Sequence, residues 1–138
     1  MVDKDTSFAN AVLIGARLLR VDLPVHVAQC SGADLSGQDL SGTMLDGARM
    51  DGARLQGSVL RGASLVQASL QGSVLSDADL SGSKLVSARM CKSDLSKAVL
   101  SGADLSKSEL SNANLKGANL KECDITGATI IGAILSPC

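Results

Sequence analysis

Large apolar residues recur along this chain every five positions, a spacing that fits neither the 3.6 of an α-helix nor the 2.0 of a β-strand. From Ala28 the sequence divides into AQCSG, ADLSG, QDLSG, TMLDG and ARMDG, and continues without a slip to AILSP, 22 pentads in all. The third position is Cys30, then Leu, Met or Ile at every step from Leu35 to Leu135. The first position is small except at Gln38. Such a period suits a chain that turns a corner after each short extended piece, sending one large and one small side chain inward per side. Glycine recurs at the fifth position, unbroken from Gly32 to Gly62, where a corner needs unusual backbone angles. Residues 6–25 follow the same rule in a shifted frame, centred on Phe8, Leu13, Leu18 and Leu23. The step from Leu23 to Cys30 is seven, which predicts a bulge at residues 26–27, with residues 1–5 left as a tail. An amphipathic helix over residues 9–20, with Val12, Leu13, Ala16 and Leu19 on one face, is the competing reading of that stretch.

The A-(D/N)-L-x-x signature, intact in ADLSG, ANLKG and ANLKE, resembles that of the pentapeptide repeat proteins, and the resemblance runs from Thr6 to Pro137. It implies an all-β fold, a right-handed quadrilateral β-helix with four pentads per coil, continuous over residues 28–138. On that expectation the 26 pentads make about 6.5 coils, a rod about 31 Å long at ~4.8 Å per coil. Side chains twenty residues apart then stack. One column is Phe8, Cys30, Met50, Leu70, Met90, Leu110 and Ile130; another is Leu35, Leu55, Leu75, Leu95, Leu115 and Leu135. Each buried Leu contributes roughly 1.5–3 kcal/mol. The interior is expected to be a filled ladder with no room for a substrate.

Composition narrows the function. The chain has no Trp, no Tyr and one Phe, which argues against an aromatic-anchored core, while 45% hydrophobic residues are too many for a disordered chain. No apolar run reaches the roughly 18–20 residues of a membrane span. The charged N-terminus does not open a secretory signal. A cytoplasmic, reducing compartment is the expectation, and an organelle lumen stays open if a targeting segment was removed earlier. Cys30, Cys91, Cys123 and Cys138 are scattered and His26 is the one histidine, so neither a metal site nor a cofactor is expected. Serine is abundant, but a serine nucleophile needs an oriented base. No catalytic residue suggests itself, and the chain reads as a non-enzyme.

Function is then expected on the outward positions or at the ends of the rod. Met44, Val66 and Val86 fall on one face, and Val59 and Val99 on another. The last coil carries Ile130, Ile131, Ile134 and Leu135 and runs to Cys138 with no polar cap in view, which is expected to be a template for association. These residues form the candidate surface for a protein partner or for a homodimer formed through a solenoid end. Some proteins of the resembled family mimic DNA and bind type II topoisomerases, which is the alternative. Mimicry needs rows of carboxylates, whereas residues from Ala28 carry eleven Asp and Glu against ten Lys and Arg. A nucleic-acid binder lacks both a basic stripe and stacking aromatics.

Overall fold

The computed structural model describes residues 29–136. The tail at 1–5, the shifted coil or helix within 6–25, the bulge at 26–27, Phe8 and Cys138 all lie outside that range. Within it, every second-position residue with a coil after it bridges in parallel to the residue twenty further on: Asp34 to Arg54, Arg54 to Val74, Val74 to Asp94, Asp94 to Asn114. The last such pairing lengthens into two short strands, β1 (Asn114–Leu115) and β2 (Ile134–Leu135), in parallel register. A repeat of twenty residues therefore holds four pentads, each with one bridge and one turn. The chain is a β-solenoid.

Side-chain burial follows the pentad. Third-position residues from Leu35 to Leu110 are at most 2% exposed, and the small first-position residues beside them are equally enclosed. Gln38 is buried too, at 3% exposure, despite its size. The fourth-position residues are mostly half-buried and the fifth-position residues form the outer corner.

Within a covered coil the backbone satisfies four of the five amides of each pentad, which explains the repeat more fully than hydrophobicity does. The first-position N–H closes a turn onto the third-position carbonyl before it, as Ala53 does on Met50 at 3.0 Å. The residue before that closing amide has φ of +66° at Gly52 and +60° at Lys92, the left-handed setting a type II turn needs. The second-, third- and fifth-position N–H groups bond to neighbouring coils, as Val74 does to Ala53, Leu75 to Asp94, and Asp77 to Ser96. In coils with another after them, only the fourth-position N–H has no backbone acceptor. Where the second position is Asp or Asn, its side-chain oxygen supplies one, accepting from the N–H two residues on: Ser36 to Asp34, Ser96 to Asp94, Lys116 to Asn114, Thr126 to Asp124. This is an Asx-turn. Where the second position is Ser64 or Ser69, a carboxylate reaches over from the previous coil instead. Asp46 accepts from Val66 N–H and Asp51 from Gln71 N–H, both at 2.9 Å.

Candidate interaction surface

Two kinds of apolar surface emerge, and they differ in quality. On the sides of the solenoid, Met44 is 53% exposed, while Val59, Val66, Val86 and Val99 are only half-buried. Val59 and Val99 stack on either side of Asp79, which takes an ion pair from Arg61. Beside Met44, Asp46 collects both the Val66 N–H and the Ser64 hydroxyl. Neither side is a continuous apolar strip.

The end is different. Burial of the third-position ladder fails over the last coil: Leu115 is 3% exposed, Leu120 is half-buried, and Ile125, Ile130 and Leu135 stand at 50%, 44% and 48%. Ile131 at 77% and Ile134 at 55% join them. Five large aliphatic side chains thus share the end of the described solenoid. The sequence pointed to Ile130, Ile131, Ile134 and Leu135 there but passed over Ile125, which occupies a core position and looks buried until the coils are counted. The structure does not bring Met44 or the four valines together with this end.

The polar groups of the surface serve the turns. Asp34 and Asp124 hold their carboxyls below the usual range, chiefly because the Ser36 and Thr126 side chains and N–H groups hydrogen-bond to them. At Asp79 burial is the largest single influence and opposes ionisation, but Ser81 and Arg61 together overcome it and the net shift is downward. Burial pushes the Cys30 thiol up to about 11. Cys123 is also raised, first by burial and then by the neighbouring Asp124 and Asp104 carboxylates. Among the described residues no group of three or more His, Cys, Asp or Glu is placed to hold a metal ion. Ser41 and Ser81 donate to Asp39 and Asp79 at 2.6 Å, and His26 lies outside the described residues. The signs are mixed along the columns, with Asp34 over Arg54, Arg89 facing Glu109 at 3.8 Å, and Asp39, Val59, Asp79 and Val99 in a column where valines separate the carboxylates. Among the described residues no helix is long and apolar enough to cross a membrane.

Known proteins share this architecture. A pentapeptide repeat protein, Rfr23 of the cyanobacterium Cyanothece 51142, is 31% identical, with a TM-score of 0.64 over 64% of this chain and 61% of that one. A pentapeptide repeat protein of the Arabidopsis thaliana thylakoid lumen is 36% identical, with a TM-score of 0.55 over 69% and 63%. The chain therefore spans less than two thirds of the length of either. QnrB1, a plasmid-mediated fluoroquinolone resistance protein, is 23% identical with a TM-score of 0.60 over 94% and 67%, a likeness of fold alone. No curated protein matches the sequence. The family model for pentapeptide repeats matches in eight copies, over residues 28–65, 58–97, 73–112 and 98–136. With a twenty-residue coil, an inward aliphatic ladder and Asx-closed corners, the chain belongs to the pentapeptide repeat family.

Proposed function

We propose that this chain is a non-enzymatic scaffold: a rigid solenoid that binds other proteins, held in a larger assembly or self-associating through its C-terminal end. The observation that carries this reading is the coil at 116–135, whose Ile125, Ile130, Ile131, Ile134 and Leu135 stand exposed above an otherwise sealed core. A cluster of that kind favours burial against a partner. The sides, with Met44, Val59, Val66, Val86 and Val99, are secondary candidates, and Cys138 belongs with the end by its place in the sequence.

The finer form of the fold is part of the proposal: right-handed, quadrilateral, about 6.5 coils once residues 6–25 add theirs, and continuous over 28–138. So is a cytoplasmic, reducing location, in keeping with Cys30, Cys91 and Cys123 as free thiols. Type II topoisomerase mimicry is the weaker reading, since the columns mix carboxylates with bases and neutral residues and hold no unbroken row of carboxylates. Native size in the source extract at low salt, with identification of co-migrating proteins, tests the proposal. A stoichiometric complex or a self-associated species supports it. A strict monomer with accessible Cys138 and no partner overturns it, and a topoisomerase among the partners favours mimicry.

A further inference from the structure

Two peptide bonds of this chain join aspartate to glycine, Asp46–Gly47 and Asp51–Gly52, and none joins asparagine to glycine. Glycine has no side chain to shield its nitrogen, so such a bond is open to attack within the chain. The glycine nitrogen bonds to the aspartate Cγ. One carboxyl oxygen leaves as water, taking the acid proton and the amide proton, and a five-membered succinimide ring is left. A water molecule then opens the ring at the main-chain carbonyl. The chain now runs through Cβ and Cγ as isoaspartate, at unchanged mass.

Both bonds lie in turns closed at 3.0 Å, Ala48 N–H on Leu45 O and Ala53 N–H on Met50 O, with φ of +69° at Gly47 and +66° at Gly52. In this type II turn the aspartate ψ is about +120°, whereas closing the ring needs the opposite sign, the setting of the mirror-image turn. The two reacting groups of each bond are also held by one residue of the next coil. Val66 N–H donates to Asp46 Oδ1 at 2.9 Å, and its carbonyl accepts from Gly47 N–H at 2.8 Å. Gln71 does the same for Asp51 Oδ1 and Gly52 N–H, both at 2.9 Å. The Ser64 and Ser69 hydroxyls donate to the same carboxylate oxygens at 2.5 and 2.6 Å. A Cβ on Gly47 or Gly52 would meet nothing within 4 Å, so hydrogen bonds from residues 63–72, and not steric cover, restrain both corners.

We infer that Asp46 and Asp51 are covalent self-modification sites gated by the stretch at 63–72. Closed, the solenoid keeps both as aspartate; local opening of that stretch frees the carboxyl and the nitrogen together and commits them to isoaspartate. The change is one-way. Isoaspartate adds one carbon to the main chain inside the turn, so the bond from Ala48 N–H to Leu45 O loses its span and the corner no longer fits a five-residue repeat. The product carries a free main-chain carboxylate, the group that an isoaspartate-directed carboxyl methyltransferase takes as substrate.

The full chain is incubated at neutral pH, folded and separately in urea, and isoaspartate is counted by methylation with such an enzyme and a labelled methyl donor. Trypsin separates the sites, since Arg49 lies between them and Arg54 ends the second peptide. The folded chain should form isoaspartate at both sites roughly tenfold or more slowly than the chain in urea. Ser64→Ala, shown to be folded by circular dichroism, should speed the reaction at Asp46 roughly tenfold and leave Asp51 unchanged. Ser69→Ala should do the reverse. Ser64→Thr, which keeps the hydroxyl, should match the parent. Equal rates in the folded chain and in urea overturn the inference. So does a rise at both sites from either alanine variant, which reports general loosening, or no rise at either site.

Discussion

Corner residues give the most direct test of how the backbone and the side chains share the work of folding. All 21 fifth-position residues described have positive φ, and eight of them are not glycine: Gln67, Asp77, Ser87, Lys92, Lys97, Lys107, Asn112 and Glu122. An L-residue in the left-handed region costs roughly 1–2 kcal/mol. Glycine avoids that cost but loses more chain freedom on folding, roughly 0.5–1 kcal/mol. The difference leaves about 0.5–1 kcal/mol per corner in favour of glycine. Gly52 and Lys92 occupy the same corner two coils apart, at φ of +66° and +60°. A Cβ at Gly52 would meet nothing within 4 Å, so Gly52→Ala isolates the backbone effect from any clash. Gly52→Ala should destabilise and Lys92→Gly should stabilise, each by about 0.5–1 kcal/mol. At ~10 Å separation the two should add, and the double variant should return near the parent. Urea unfolding followed by far-ultraviolet circular dichroism is the assay, because the chain has no Trp or Tyr to report by fluorescence. The midpoint should move at constant slope. A lower midpoint for Lys92→Gly, or none of the expected loss for Gly52→Ala, would refute the view that these corners carry backbone strain.

Ser83 and Ser108 bury hydroxyls with no hydrogen-bond partner, whereas Ser58 and Ser73 donate to the carbonyl three residues earlier at 2.7 Å. Ser83→Ala and Ser108→Ala should therefore raise the urea midpoint by an equivalent of about 1 kcal/mol, and Ser58→Ala should not. The folded-state pKa values of Asp34, Asp79 and Asp124 lie below the ordinary 3.8, so their contribution is complete above that pH and is lost as pH falls through the lowered values. Acid titration by circular dichroism should show this loss in the parent. The triple Asp→Asn variant should keep the fold, as Asn114 and Asn119 do in the same role, and show a flatter acid limb. Leu80→Ala should cost about 2–5 kcal/mol in a fully enclosed layer, and Ile125→Ala at half exposure only a fraction of that, both read from urea midpoints.

The core was legible because one rule governs it. A leucine every five residues fixes the inward position, and the stack of Leu35, Leu55, Leu75, Leu95, Leu115 and Leu135 follows from counting four pentads per coil. The polar half of the signature was legible as a pattern but not as a cause. That Asp34 or Asn114 holds the one amide the coils leave over appears only when backbone hydrogen bonds are counted group by group. The replacement of that role by Asp46 and Asp51 acts across twenty residues, so no local motif announces it. Glycine at Gly32 to Gly62 pointed to the corners, yet Lys92 and Glu122 take the same φ against their own preference. There the coil geometry overrides the residue. The apolar end was half legible. Ile130, Ile131, Ile134 and Leu135 are legible as the last apolar residues of the repeat, while Ile125 sits at a core position one pentad earlier and is exposed only because no coil lies over it among the described residues.

The uniform ladder also bears on how such a chain can change by insertion and deletion. Removing one pentad turns everything downstream by a single face, yet aliphatic residues occupy the inward place on all faces, so the interior is indifferent to the slip. The exterior is not. Arg61 meets Asp79, eighteen residues on; with residues 63–67 removed, it would meet Lys84 instead, and an ion pair would become a repulsion. Removing a full twenty residues leaves each face with its own kind. Gain or loss in fives therefore reshuffles the outer pattern over an unaltered core, whereas gain or loss in twenties lengthens or shortens the rod and keeps each pattern on its face.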